Sequence, residues 1–351
     1  PFGTPSSDTP DSVSLLYPSG TQESCALLVP RLPEEHAPIL DLLETCKLIA
    51  SCISPLTSPS PSPSRTSPSR STPANPYGSE RKGPLRQIVK CVNKRDRAGL
   101  VRAVDAFNTV TRGIPIDYAH PDSDAPGSSF ELARHVLEQS YARVVSPFAG
   151  QLIVKGFGSN VYGELKPLFI DEMIRELGLQ SGDVFVDLGS GIGNVACQVA
   201  GQCLAECFGV ELQKRASELA VDFSREFLAR IRCFNKPCGT VTLYNADFLE
   251  CPEIDAVLPR ADVLLVNNYI FSPTLNQALA QKFLDLREGT RIVSLKPFGT
   301  AGREGASVLG ILNEPREVFY GRDRVSWTSE GGSYFIQTVD REGMLKRNSL
   351  T

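Results

Sequence analysis

Histidine is scarce in this chain, and its cysteines are not paired for metal. There are three histidines (His36, His120 and His135) and ten cysteines, yet no Cys-x-x-Cys pair occurs. None of the histidines is spaced to complete a zinc site, so no metal is expected. Several cysteines fall inside apolar helical runs, where a thiol behaves as a small hydrophobe; reduced thiols of an intracellular protein are the expectation. No run approaches the ~20 apolar residues of a membrane span. The first residues lack the charged start and apolar core of a signal peptide. A soluble cytosolic or nuclear protein is therefore expected. No internal repeat is visible, and Trp327 is the only tryptophan.

What is present is unevenly spread. Residues 54–76 are mostly Ser, Pro and Thr, too poor in apolar surface to offset chain ordering, and read as a disordered linker. Before them, Ile39, Leu42, Leu43, Cys46, Ile49 and Ile53 make one amphipathic helix candidate at about 38–53. The net charge of -4 hides a basic stretch: nine Lys or Arg stand against two Asp between Arg81 and Arg112. Such a patch can neutralise nucleic-acid phosphates. Leu85, Ile88, Val89 and Val92 recur at helical spacing, so the charges can equally be a helix's wet face. The domains expected are 1–82, a largely disordered tail; 83–150, a basic helical subdomain; and 151–345, a catalytic domain.

The most informative stretch is Val184-Phe185-Val186-Asp187-Leu188-Gly189-Ser190-Gly191-Ile192-Gly193. It reads as a buried strand that breaks into a glycine turn and opens a helix at Asn194. Glycines let backbone approach a ligand, and the helix start offers unpaired N–H groups. Glu211 follows twenty positions after Gly191, ending a second apolar strand. In a doubly wound fold an acid there receives ribose hydroxyls. The register is G-x-G-x-G rather than the G-x-G-x-x-G of dinucleotide enzymes, with Asn194 at the third dinucleotide glycine. With Asp187 two residues ahead of the first glycine, the pattern is typical of S-adenosylmethionine enzymes. The alternative is an ordinary tight turn between strand and helix.

Around this turn, helices are predicted at about 84–95, 97–110 and 128–144, the last capped near Ser128-Ser129. From 166 onward, helices and strands alternate. Helices are predicted at 167–177, 213–231 and 273–286, and strands near 183–188, 206–211, 240–245, 262–267 and 290–295. This predicts an α/β fold with a parallel sheet covered on both faces, ending in an antiparallel hairpin after 315. Ligands of such sheets sit at the carboxyl ends of strands. There stand Asp247-Phe248, fit to meet an adenine amino group and ring or merely to cap and pack. There also stand Asn267-Asn268-Tyr269-Ile270-Phe271, where two amides end an apolar strand. In amine-methylating enzymes a polar group here orients the target nitrogen; otherwise the pair satisfies loop backbone.

Tyr162-Gly163-Glu164, the glycine turn, Gly209-Val210-Glu211, Asp247-Phe248, the Asn267–Phe271 run, Ser294-Leu295-Lys296-Pro297-Phe298, Val325-Ser326-Trp327-Thr328, Ser333-Tyr334-Phe335 and Asp340-Arg341 occur in a characteristic order. In that order the chain resembles the disruptor-of-telomeric-silencing histone methyltransferases, in particular the fungal branch, from about Leu132 to Arg341. Ala246 and Leu165 depart from the usual pattern. The resemblance implies a class I S-adenosylmethionine methyltransferase with a seven-stranded, mostly parallel sheet, methylating a lysine in the globular part of histone H3 without a SET domain. Tyr162, Gly163, Glu164 and Leu165 would close over the methionine part of S-adenosyl-L-methionine. Phe185, Val186, Asp187, Leu188, Gly189, Ser190, Gly191, Ile192, Gly193 and Asn194 would hold its amino-acid end, Glu211 the ribose, and Asp247 with Phe248 the adenine. Asn267 would orient the amine, and Phe271, Trp327 and Tyr334 would wall a narrow lysine channel. Implied partners are the nucleosome (histone H3, and nucleosomal DNA through basic segment 81–102), with ubiquitinated histone H2B and the histone H4 tail left open. A nuclear monomer is expected, in a family typical of telomeric silencing and the DNA damage checkpoint. Two rivals stand beside this reading. One is a methyltransferase of nucleobases or RNA, disfavoured because the Asn-Pro-Pro-Tyr prolines are missing. The other is a non-catalytic chromatin-binding module. A dehydrogenase is more distant.

Overall fold

A computed structural model describes residues 12–31, 35–53, 83–113, 127–152, 163–299 and 310–342, which belong to two units. The Ser/Pro-rich linker lies outside the described residues, as does Tyr162.

The first unit comprises residues 1–124 with 230–236. An antiparallel hairpin, β1 (Ser12–Leu16) and β2 (Gln22–Ala26), precedes three helices, α1 (Pro38–Ile53), α2 (Pro84–Lys94) and α3 (Arg97–Arg112). The hairpin was not anticipated, because Ser-Val-Ser-Leu-Leu is short and sits in a Ser- and Pro-rich region. Its order comes from long-range partners. Val13, Leu15, Leu16 and Tyr17 are buried. The Asn108 amide of α3 accepts from the Leu16 N–H and donates to the Ser14 carbonyl, each at 2.8 Å. Asn108 thereby satisfies β1 backbone groups that hairpin pairing leaves unmet. Arg230 and the Tyr17 hydroxyl converge on the Glu23 carboxylate at 2.8 and 2.7 Å. Residues expected to be mostly tail thus carry a packed hairpin and helix. Between α2 and α3, Arg95 takes a left-handed conformation and Asp96 caps α3 by accepting from Gly99 N–H.

The second unit, 125–229 with 237–351, is the α/β body. In chain order its elements are α4 (Phe130–Ser140), α5 (Ala149–Leu152), α6 (Pro167–Leu177), β3 (Val184–Leu188), α7 (Asn194–Cys203), β4 (Glu206–Glu211), α8 (Lys214–Cys233), β5 (Thr240–Asn245), α9 (Pro252–Asp255), β6 (Val263–Val266), α10 (Pro273–Lys282), β7 (Arg291–Ser294), β8 (Arg316–Tyr320) and β9 (Gly332–Thr338). Ser129 caps α4 as anticipated, by accepting from Leu132 N–H. α4 is shorter than predicted because Tyr141–Val145 continue as a π turn, and α10 gives way to a 3₁₀ turn over Phe283–Asp285.

The strands form one seven-stranded sheet in the order β5-β4-β3-β6-β7-β9-β8. β9 runs antiparallel to β7 and β8, and the other pairings are parallel. Every residue of β3 is buried, because helices cover both faces and an apolar run costs nothing on either. Phe185, Cys207, Val263 and Leu265 pack with Phe169, Met173 and Val199 on one face. Val186, Phe208, Leu264 and Ile292 pack with Ile254, Leu279 and Phe283 on the other. Strand order reverses on either side of β3, which opens a crevice at its carboxyl end.

Candidate active site

The crevice holds a cavity of about 260 Å³ at the ends of β3, β4, β5 and β6. At its floor the chain turns sharply after Leu188: Gly189 and Gly191 have φ of 89° and 55°, values that suit glycine. Nothing stands within 4 Å of where a Gly189 side chain would begin, so ligand can lie directly on this backbone. Glu211, from the end of β4, accepts from Gly191 N–H at 2.9 Å with one oxygen and from Gln213 N–H at 2.7 Å with the other. It therefore fixes the glycine turn, and each oxygen keeps a further lone pair for a ligand hydroxyl.

Asp187 is 3% exposed beside this turn. Burial, and secondarily the Glu211 charge, push its carboxyl up to about 7. A buried acid so placed is poised to pair with a cationic group of a ligand. Asp247 accepts from Leu249 N–H at 2.9 Å, and its neighbour Phe248 stacks on Phe271 with centroids 6.0 Å apart.

The other wall is built from distant segments. Residues 163–166 pair with 324–326: Ser326 N–H donates to the Glu164 carbonyl at 2.9 Å, and Glu164 N–H donates to Ser326 Oγ at 2.8 Å. This sets Trp327 against Gly163, where an added Cβ would lie 2.8 Å from Cε3 of the indole. The Asn194 amide donates to the Leu165 carbonyl at 3.1 Å, tying the same segment to the start of α7. Trp327 stacks on Tyr269 at 5.4 Å. Gly163→Ala is therefore expected to displace the ring, visible as shifted emission because Trp327 is the sole tryptophan. Unchanged emission would show that the indole does not rest on Gly163.

The two asparagines after β6 divide their work. Asn268, 1% exposed, binds the Lys296 N–H and carbonyl at 2.8 and 2.9 Å and Asn276 at 3.0 Å; it is loop architecture. Asn267 is half-buried, lines the cavity, and donates to the Gly163 carbonyl at 3.3 Å. Its amide shares the cavity with the carboxylates and with the stacked Tyr269–Trp327 pair.

Of the residues expected from sequence, Gly163, Glu164, Leu165, Asp187, Leu188, Gly189, Ser190, Gly191, Asn194, Glu211, Asp247, Phe248, Asn267, Phe271 and Trp327 line this one cavity. Phe185 and Val186 face the two cores instead, while Ile192 is fully buried and Gly193 abuts Leu243. Tyr334 departs most. It is 2% exposed and packs on Phe169 at 5.2 Å, where burial pushes its phenol up to about 12. It alternates onto the core face of β9 rather than reaching the cavity. Lining residues that the sequence did not single out include Leu212, Gln213 and Leu275. The signal for the first two was adjacency to Glu211, with an apolar Leu212 left 57% exposed. Among the described residues there is no cluster able to hold a metal and no helix long and apolar enough to cross a membrane.

A family model described as "Histone methylation protein DOT1" matches residues 141–339. The "Histone-lysine N-methyltransferase, H3 lysine-79 specific" of Aspergillus fumigatus is 35% identical over 343 residues, covering 95% of this chain and 65% of its own length. The protein of the same description from Yarrowia lipolytica is 42% identical over 220 residues, covering 61% of this chain and 44% of its own length. The chain thus spans less than two thirds of the length of these curated relatives. The solved structure of an RNA methyltransferase from Salinibacter ruber in complex with S-adenosyl-L-homocysteine matches 51% of this chain and 94% of its own, at 21% identity and TM-score 0.35. That likeness is too distant to bear on substrate.

Proposed function

The chain belongs to the DOT1 family of histone methylation proteins, and on that premise we propose that it is a histone-lysine N-methyltransferase using S-adenosyl-L-methionine, acting on a lysine in the globular core of histone H3 in nucleosomes. The observation that carries this reading is Asn267. One cavity joins its amide to a buried carboxylate, a glycine cradle and a stacked aromatic pair. Asp187 fits the cofactor's ammonium, the open backbone at Gly189 its amino-acid end, Glu211 its ribose, and Asp247 with Phe248 its adenine.

When bound, S-adenosylmethionine supplies an electrophilic methyl: the N–C bond forms as the C–S bond breaks, and sulfur keeps the electron pair. The task of the chain is to deliver a neutral amine in line. A free lysine with pKa ~10.4 costs about 5 kcal/mol to present uncharged at pH 7. Tyr269 and Trp327 desolvate it, which disfavours the ammonium, and their faces tolerate a methylammonium product. The Asn267 side-chain oxygen orients the nitrogen. Among the described residues the carboxylate of this cavity next to the aromatic wall is Glu164, a weak base, so alignment and desolvation carry the step and the proton leaves to water.

The substrate supports a nuclear location. The basic segment supplies the grip: Arg86, Lys90 and Lys94 recur every four residues on α2, a helix with no acidic side chain. Replacing Lys90, Lys94, Arg95 and Arg97 by Ala is expected to cut nucleosome methylation at least tenfold and to flatten its salt dependence, with cofactor affinity unchanged. Undiminished nucleosome activity would remove the segment from substrate binding. The reading as a whole is tested by offering labelled S-adenosylmethionine with nucleosomes, free histones, DNA or RNA. Label confined to histone H3 is expected; labelled nucleic acid would favour a nucleobase enzyme, and bound cofactor without transfer a binding module.

A further inference from the structure

We propose that Lys296 is a positioning residue that sets the protonation state of the amine entering beside Asn267. This inference rests on the methyltransferase reading above. Lys296 follows β7 in the Ser-Leu-Lys-Pro-Phe run, and its backbone is gripped on both sides by the Asn268 amide, at 2.8 and 2.9 Å. Asn268 is 1% exposed, so this grip is shielded from water. A second brace comes from α10: Asn276 binds Asn268 at 3.0 Å and donates to the Ser272 carbonyl at 3.3 Å. The turn that presents Asn267, Tyr269 and Phe271 is thus locked to the residue that carries the cation.

From this fixed point the Lys296 ammonium reaches over Tyr269, with Nζ 5.5 Å from the ring centroid. Tyr269 in turn stacks on Trp327 at 5.4 Å, and both rings line the cavity. Among the described residues no ion pair neutralises Lys296. The other charged groups at this cavity are carboxylates: Glu164 beside the 324–326 strip, Asp187 on β3, Glu211 ending β4 and Asp247 after β5. The Tyr320 phenol lies within electrostatic range of Tyr269. Among the described residues Lys296 is the one cation held against the aromatic wall. A fixed positive charge there disfavours a second one in the adjoining space. It favours the neutral amine that transfer requires, while the aromatic faces still admit it.

The test is the single-turnover rate against pH, at saturating S-adenosylmethionine and nucleosomes, for wild type, Lys296→Met, Lys296→Glu and Lys296→Arg. The side chain is exposed, so these variants should fold; a melting curve and cofactor titration check each one. Lys296→Met is expected to move the rise of the profile to higher pH, with the rate at pH 7 falling about threefold, a shift of about half a unit. Lys296→Glu should move it further, and Lys296→Arg should restore the wild-type profile. The alkaline plateau should be common to all four, which a merely structural role would not preserve. An unmoved rise, or a plateau lowered in proportion, overturns the proposal while the methyltransferase reading stands. No transfer by the wild-type protein to any histone overturns that reading and this proposal together.

Discussion

Asp187→Asn is expected to make the ligand-free protein more heat-stable while reducing S-adenosylmethionine affinity about a hundredfold. The two effects share one cause. Asp187 is buried beside Glu211, and its carboxyl is raised from 3.8 to about 7. In the unfolded chain the group ionises near 3.8, so between these values the folded state holds a proton that the unfolded state has lost. Stability therefore falls as pH rises through this window, and the penalty is complete above 7. An isosteric neutral amide removes it. The gain should be several degrees at pH 8, at about 2–4 °C per kcal/mol for a unit of this size, and should shrink as pH falls towards 4. Ligand binding reverses the balance, because a cationic amino group needs the ionised carboxylate; a charged hydrogen bond lost here is about 3 kcal/mol. Melting curves at pH 5 and 8, with and without cofactor, read both effects. A variant that melts lower than wild type at pH 8 would show that Asp187 is satisfied by the protein rather than reserved for ligand.

Glu211→Ala should lose cofactor binding to a similar degree but with the opposite sign in stability. Its two oxygens accept from Gly191 and Gln213 N–H groups at 2.9 and 2.7 Å. Removing them strips two backbone donors of their charged partner, at about 1–3 kcal/mol each. The glycine turn also loses the tether that holds it to β4. The melting temperature is expected to drop by about 5–10 °C at pH 8. The drop is offset in part because Asp187 loses a repelling neighbour and ionises more easily. Two adjacent carboxylates at one ligand would then differ in kind, Glu211 building the cradle and Asp187 waiting for its occupant. Equal shifts in the same direction would refute that division.

Much of this was legible in the sequence, for identifiable reasons. β3, β4, β6 and β7 are buried along most of their length, so each reads as an apolar run between helical periods, whereas β5 lies at the sheet edge with no buried residue; the carboxyl-end rule then points to the positions that follow the strands. The glycine turn and its spacing single out Asp187 and Glu211, the strand-end rule singles out Asn267, and all three line one cavity. What escaped depends on partners far along the chain. The β1–β2 hairpin is held by Asn108, over ninety residues away, and its short Ser-containing strands carry no local signal. Tyr334 was placed in the channel by family resemblance, whereas the alternation of β9 turns it onto Phe169. Adjacency alone does not say which amide of the Asn267-Asn268 pair lines the cavity and which braces Lys296. Only the register of β6 and the position of Asn276 decide it.

The most direct test of the account is the single-turnover rate of methyl transfer to histone H3 in nucleosomes by Asn267→Ala, with cofactor affinity measured on the same protein. Asn267 lines the cavity, and among the described residues its side chain has one hydrogen-bond partner, the Gly163 carbonyl at 3.3 Å. The expected rate is at least a hundredfold below wild type, about 3 kcal/mol of lost alignment, with cofactor bound within about threefold of normal. A variant that binds cofactor normally and transfers methyl at the wild-type rate would contradict it.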